Sequence, residues 1–207
     1  MGKKYFWLAI LILNLIVAPA IFFSVSQALT KKLVMYSGVE TSALADYGQV
    51  AGFDLTESNG KVLSLSDLKG APWVASFIFT HCAGQCPTVS LKMGSLQESL
   101  PSSVKLVSFS VDPGRDTPKK LSLYAEKYNA TENRWFFVTG DKPAVDKLLQ
   151  SFHVNDTENP NIHSLRFALV DGDGRIRGYY DSSDENALRS LVEDTKVLLS
   201  EKGAEGS

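Results

Sequence analysis

Phe77-Ile78-Phe79-Thr80-His81-Cys82-Ala83-Gly84-Gln85-Cys86-Pro87 is the stretch on which the reading of the whole chain turns. It continues an apolar run, Trp73 to Phe79, with the length and character of a strand covered on both faces. A loop follows that holds both cysteines of the chain. Beyond it, Val89, Leu91, Met93, Leu96 and Leu100 recur close to helical spacing, which predicts a helix over Thr88–Leu100 that Pro101 ends. A helix N-terminus favours thiolate over thiol, and a thiolate serves equally as nucleophile and as metal ligand. The spacing is C-x-x-x-C, one residue wider than the C-x-x-C of disulfide oxidoreductases, and two sulfurs so placed can still reach each other or one metal ion. From the pair alone, electron exchange and metal binding both stay open.

Outward from this loop the signals alternate. Gly52–Thr56 and Val62–Leu65 flank Glu57-Ser58-Asn59-Gly60-Lys61, which reads as a hairpin, and Ser66–Gly70 as a short polar connection. Val104–Val111 is the next expected strand. Asp112-Pro113-Gly114-Arg115-Asp116-Thr117-Pro118 is a loop that ends in a helix start, with Thr117 as N-cap and Pro118 at the first helical position. A helix over Lys119–Tyr128, a strand over Trp135–Val138 and a helix over Pro143–Phe152 come next. A hairpin of Arg166–Val170 and Ile176–Tyr180 turns about Asp171-Gly172-Asp173-Gly174, and a last helix runs over Glu185–Ser200. Strands alternating with helices predict an α/β sandwich with a mixed central sheet. A cysteine pair between a central strand and its helix gives that sandwich a thioredoxin-like arrangement.

The chain has 207 residues, of which 44% are hydrophobic and 21% charged, enough for a membrane segment and one domain with a substantial core. A formal charge of −2 gives no reason to expect nucleic acid as a partner. Tyr5 to Val25 runs almost unbroken in apolar residues after Lys3 and Lys4, long enough to cross a bilayer as a helix. A cleaved signal peptide is the competing reading, with Ser26-Gln27-Ala28 as a small-residue cleavage site. The preferred organisation is a membrane anchor over residues 1–28, a linker over 29–49 and a domain over 50–203. The N-terminus is expected in the cytoplasm and the domain in the periplasm of a bacterial inner membrane.

Three histidines bear on the chemistry. His81 adjoins Cys82 and reads as a solvated or supporting group more readily than as a ligand. His153 closes a helix, where a positive charge suits the dipole. His163 lies in the segment entering the Arg166–Val170 strand, which a thioredoxin-like sheet brings beside the cysteine loop, so it is a candidate to complete a Cys2His set. Two thiolates and an imidazole suit Cu(I), and such a site also holds Cu(II). Zinc competes, but a structural zinc site normally has four protein ligands. Asp112 is expected at the end of the strand neighbouring the cysteine strand, as a turn former or as an acceptor near the metal or thiol. The Asp171–Gly174 turn resembles the start of a calcium loop, but Arg175 takes a ligand position and calcium is set aside.

Together these pieces resemble the Sco/SenC family of membrane-anchored, thioredoxin-fold copper proteins. The likeness rests on Phe79-Thr80-x-Cys82-x-x-x-Cys86-Pro87 and on Val111-Asp112-Pro113-x-Arg115-Asp116-Thr117-Pro118. His163-Ser164 before a strand and the Asp-Gly-Asp-Gly turn extend it. The resemblance implies copper held by Cys82, Cys86 and His163, with Asp112 as an auxiliary residue. It implies assembly of the dinuclear copper centre of cytochrome c oxidase, by copper delivery or by reduction of the target's cysteines. In the second case Cys82 and Cys86 are the catalytic pair. The partner would be the copper-site subunit of a respiratory oxidase, with another periplasmic copper chaperone or thiol reductase as a further candidate. A redox or copper sensor is a third reading. One departure is that Ala83 and Gly84 stand where the family usually has proline and often aspartate.

Overall fold

The apolar run before the cysteine loop forms, over Trp73–Ile78, a strand whose six side chains are all buried. In chain order the elements are β1 (Asp54–Glu57), β2 (Val62–Ser64), a short 3-10 helix (Leu65–Leu68), β3 (Trp73–Ile78), α1 (Cys86–Ser99), β4 (Lys105–Ser110), α2 (Pro118–Lys127), β5 (Trp135–Thr139), α3 (Lys142–Ser151), β6 (Arg166–Val170), β7 (Ile176–Asp181) and α4 (Glu185–Glu205). This computed structural model describes residues 44–153 and 165–205. The expected anchor over residues 1–28, most of the expected linker, and His163 lie outside the described residues. Among the described residues no helix is long and apolar enough to cross a membrane.

The seven strands make one sheet in the order β2-β1-β5-β4-β3-β6-β7. β3, β4 and β5 run parallel at its centre, while β1 joins β5 and β6 joins β3 antiparallel. The mixed sheet with helices on both faces is the thioredoxin-like sandwich that the sequence predicts. On one face α1, α2 and α4 bury Val89, Met93, Leu121, Tyr124 and Leu191 with Val74, Ile78 and Leu106 of the sheet. On the other, α3 buries Val145, Leu148 and Leu149 against Ala75, Phe77, Val107 and Phe109. The alternation along β4 follows from the two-residue period of a strand. Each fully buried side chain of Leu, Met or Phe size stabilises the fold by about 1.5–3 kcal/mol.

Two elements differ from expectation. α1 begins at Cys86 rather than Thr88, because Pro87 lacks an N–H and has its φ preset, which suits the first helical turn. The polar connection after β2 winds into the 3-10 helix, with Ser64 and Asp67 in a reciprocal cap.

The end of the stretch expected as linker is laid on the domain. Tyr47 and Val50 donate backbone hydrogen bonds to Ile176 and Gly174, and Gly48 accepts one from Ile176. Gly174 has φ +86°, and a Cβ there would stand 2.8 Å from the Gln49 side chain. Arg177 reaches the carbonyls of Leu44 and Ala45 while pairing with Asp171 at 3.0 Å. Because β6 is antiparallel to β3, with Trp73 opposite Val170, this strap lies at the end of the sheet away from the cysteines.

Candidate metal and thiol site

β3 and β4 run parallel, so both deliver their carboxyl ends to the same edge of the sheet, where open α/β folds place their sites. The pairing extends one bond further, from the Val111 N–H to the Ile78 carbonyl at 2.9 Å. The cysteine loop after β3 and the Asp112–Asp116 loop after β4 therefore leave the sheet side by side.

The first turn of a helix has N–H groups without intrahelical partners. Here the Cys86 N–H donates to Cys82 Sγ at 3.5 Å, so the start of α1 turns toward the sulfur four residues earlier. Both cysteines are free thiols, Cys82 partly exposed and Cys86 fully buried among Val89, Met93 and Ile78. Burial pushes the Cys82 thiol up, but hydrogen bonds from the Cys86 backbone and side chain and from the Gly84 and Gln85 backbones outweigh it, and the net shift is downward. At Cys86 burial dominates, the neighbouring Cys82 adds to it, and the thiol is pushed up to about 12. A pair with one accessible sulfur shifted toward thiolate and one buried sulfur shifted toward thiol can receive an electrophile or a soft cation through Cys82 first. A side chain at Gly84 would enter open space, so this glycine meets no steric demand.

His81 stands over Phe79 edge to face, with ring centroids 5.1 Å apart, and its Nε2 is 3.6 Å from Asp112 Oδ2. The Arg115 Nε–H donates to the same carboxylate oxygen at 2.6 Å. Asp112, singled out from sequence, thus reaches the cysteine loop through His81, the residue before Cys82. Its N–H donates to Ser110 Oγ at 3.2 Å. His153 lies elsewhere, closing α3 in a left-handed conformation with φ +53° and placing its Nε2 3.2 Å from the Tyr47 carbonyl. The described chain resumes at Leu165, which packs against the same apolar cluster as Phe79 and Cys82. Among the described residues no group of three or more His, Cys, Asp or Glu is positioned to hold a metal.

Asp116 stands within the Val111–Pro118 motif quoted above, where no role was assigned to it. Its side chain is fully buried, and it accepts from the Thr80 N–H at 3.1 Å, the Thr80 hydroxyl at 2.6 Å and the Ser110 hydroxyl at 2.6 Å. Nothing local marks it, since an aspartate just before a helix N-cap looks like ordinary loop. Only its partners on β4 and after β3 give it weight.

Comparison with known proteins agrees with this geometry. A family model described as SCO1/SenC matches residues 42–199. The SCO1 protein homolog of Bacillus subtilis is 34% identical over 157 residues, covering 72% of this chain and 81% of the relative. The solved structure of BsSco, described as a member of the Sco family of cytochrome c oxidase assembly proteins with a disulfide switch, superposes with a TM-score of 0.65. It is 32% identical, over 75% of this chain and 95% of BsSco. Copper-bound ScoI of Bradyrhizobium japonicum shares the fold at a TM-score of 0.59 and 24% identity, over 73% of this chain and 99% of that one. With its fold, its C-x-x-x-C loop and the match over nearly the entire described domain, the chain belongs to the SCO1/SenC family.

Proposed function

We propose that this protein is a copper-binding assembly factor for the dinuclear copper centre of cytochrome c oxidase. The observation that carries the reading is the convergence of the two thiols at the start of α1, with Cys86 N–H turned onto Cys82 Sγ. Thiolates are soft donors, so the pair fits Cu(I), and one imidazole would complete a three-donor set open to exchange. His163 is the proposed third ligand. A single residue, Ser164, separates it from Leu165, which packs on the cluster that Cys82 and Phe79 also cover. Copper would enter as cargo at the accessible Cys82, be held from behind by Cys86, and leave as partner thiolates replace these donors. Asp112 with His81 would orient the loop during that exchange. The protein is proposed to work from a bacterial inner membrane, tethered by residues 1–28, with the domain in the periplasm facing the copper-site subunit of the oxidase.

The unequal thiols also favour a second reading, reduction of partner cysteines. Cys82 as thiolate would attack a partner disulfide, forming a mixed disulfide and releasing one partner thiolate. Cys86, on losing its proton, would then attack Cys82 Sγ and release the second partner thiol. The Cys82–Cys86 disulfide would remain, and two electrons would have passed to the partner. Complementation of a deletion strain separates the two. Under the copper reading His163→Ala fails to restore oxidase activity, as Cys82→Ser does. Restoration by His163→Ala but not by Cys82→Ser would replace it with thiol reduction.

A further inference from the structure

The fully buried carboxylate of Asp116 joins two loops that the sheet only places near each other. Its oxygens accept from the Thr80 backbone and hydroxyl, two residues before Cys82, and from the Ser110 hydroxyl at the end of β4. The Asp116 N–H donates to the Asp112 carbonyl at 3.0 Å, and Ser110 Oγ accepts from the Asp112 N–H. Thr80 and Asp112 are thereby held to one carboxylate, and with them the origins of the cysteine loop and of the aspartate loop. Among the described residues no lysine, arginine or histidine forms an ion pair with Asp116. A buried carboxylate without a cation depends on its hydrogen bonds, so the Thr80 and Ser110 contacts cannot be relaxed at little cost.

We propose that Asp116 is a positioning residue of the cysteine site, clamping Thr80 so that Cys82 is presented to Cys86 at a fixed reach. The inference rests on the cysteine pair being the working site, whether for copper or for electrons. Without the clamp the loop from Thr80 to Gln85 starts from a movable point, and the effective concentration of one sulfur at the other falls.

The test uses the purified full-length chain in four forms: wild type, Asp116→Asn, Thr80→Val and Thr80→Ser. The Cys82–Cys86 disulfide is equilibrated with glutathione, and Cu(I) affinity is measured by competition with a chromophoric chelator. Asp116→Asn keeps the shape but replaces an acceptor oxygen by a donor. It is expected to disfavour the disulfide about tenfold, equivalent to about 30 mV for two electrons. It is also expected to weaken Cu(I) by about tenfold or more, as loss of supporting contacts does at metal sites. Thr80→Val, which loses the hydroxyl alone, falls between Asp116→Asn and wild type, and Thr80→Ser, which keeps it, matches wild type. A merely structural aspartate would lower thermal stability and leave the glutathione equilibrium and the affinity of the folded protein within twofold of wild type. That result overturns the proposal. If Asp116→Asn fails to fold, Thr80→Val against Thr80→Ser decides by the same criteria. If wild type binds no copper, the copper reading falls and the glutathione arm still tests the clamp.

Discussion

Both ends of the sheet close on a buried aspartate, and the two are satisfied in different ways. At the strap end, Asp171 accepts from the Asp173 and Arg175 backbone N–H groups and pairs with Arg177, whose guanidinium also reaches two carbonyls of the strap. At the cysteine end, Asp116 takes only neutral donors, a backbone N–H and two hydroxyls. An arginine fork fixes geometry with charge against charge, which serves an end whose task is to stay closed. Neutral donors satisfy the second carboxylate in place of a cation, and the arginine at this end, Arg115, pairs with Asp112 instead. The difference separates an end closed by an ion pair from the end proposed to carry the chemistry.

The largest effect that would break this comparison belongs to the strap. Arg177→Met leaves Asp171 with a buried, uncompensated charge and is expected to cost about 3 kcal/mol in denaturant unfolding. The glutathione equilibrium of the cysteines should be unchanged, and a shift there would show that the two ends are not independent. Next comes the inequality of the thiols. At neutral pH iodoacetamide should modify Cys82 at least about tenfold faster than Cys86, read by peptide mass after limited reaction. Equal rates would remove the basis for assigning Cys82 the first contact. The smallest effect is on alkaline stability. Burial pushes Cys86 and Tyr179 up to about 12, and raises Tyr124 and Tyr180 as well, the latter helped by the Asp194 carboxylate. In the unfolded chain a cysteine titrates near about 8.5 and a tyrosine near about 10. As pH rises, the unfolded state therefore sheds these protons first and binds fewer than the folded state, so stability falls. The contribution is complete below about pH 8.5 and lost progressively toward about pH 12. Urea midpoints at pH 7.5, 9.5 and 11 should decline in that order, and a flat series would contradict the burial of these groups.

The route from sequence to site was uneven for physical reasons. The run Trp73–Ile78 is buried on both faces, so its apolar continuity announced a central strand, and the cysteine loop followed from it. Helical spacing along Val89, Met93 and Leu96 located α1, but its start depended on Pro87 sitting in the first turn instead of before it. The place of Asp112 beside the cysteine loop was legible because β4 ends next to β3. Asp116 was not, because its meaning lies in bonds to Thr80, 36 residues away, and to Ser110. The strap was illegible for a similar reason, since Tyr47 and Val50 bond backbone to backbone with residues near the other end of the chain and leave no pattern in side chains.

The central claim is that the two thiols together make a copper site. Purified protein loaded with Cu(I) and freed of excess should retain about one ion per chain, and Cys82→Ser or Cys86→Ser should each lose most of it, since thiolate ligands dominate binding of a soft ion. Full occupancy in a variant lacking both thiols would contradict the account.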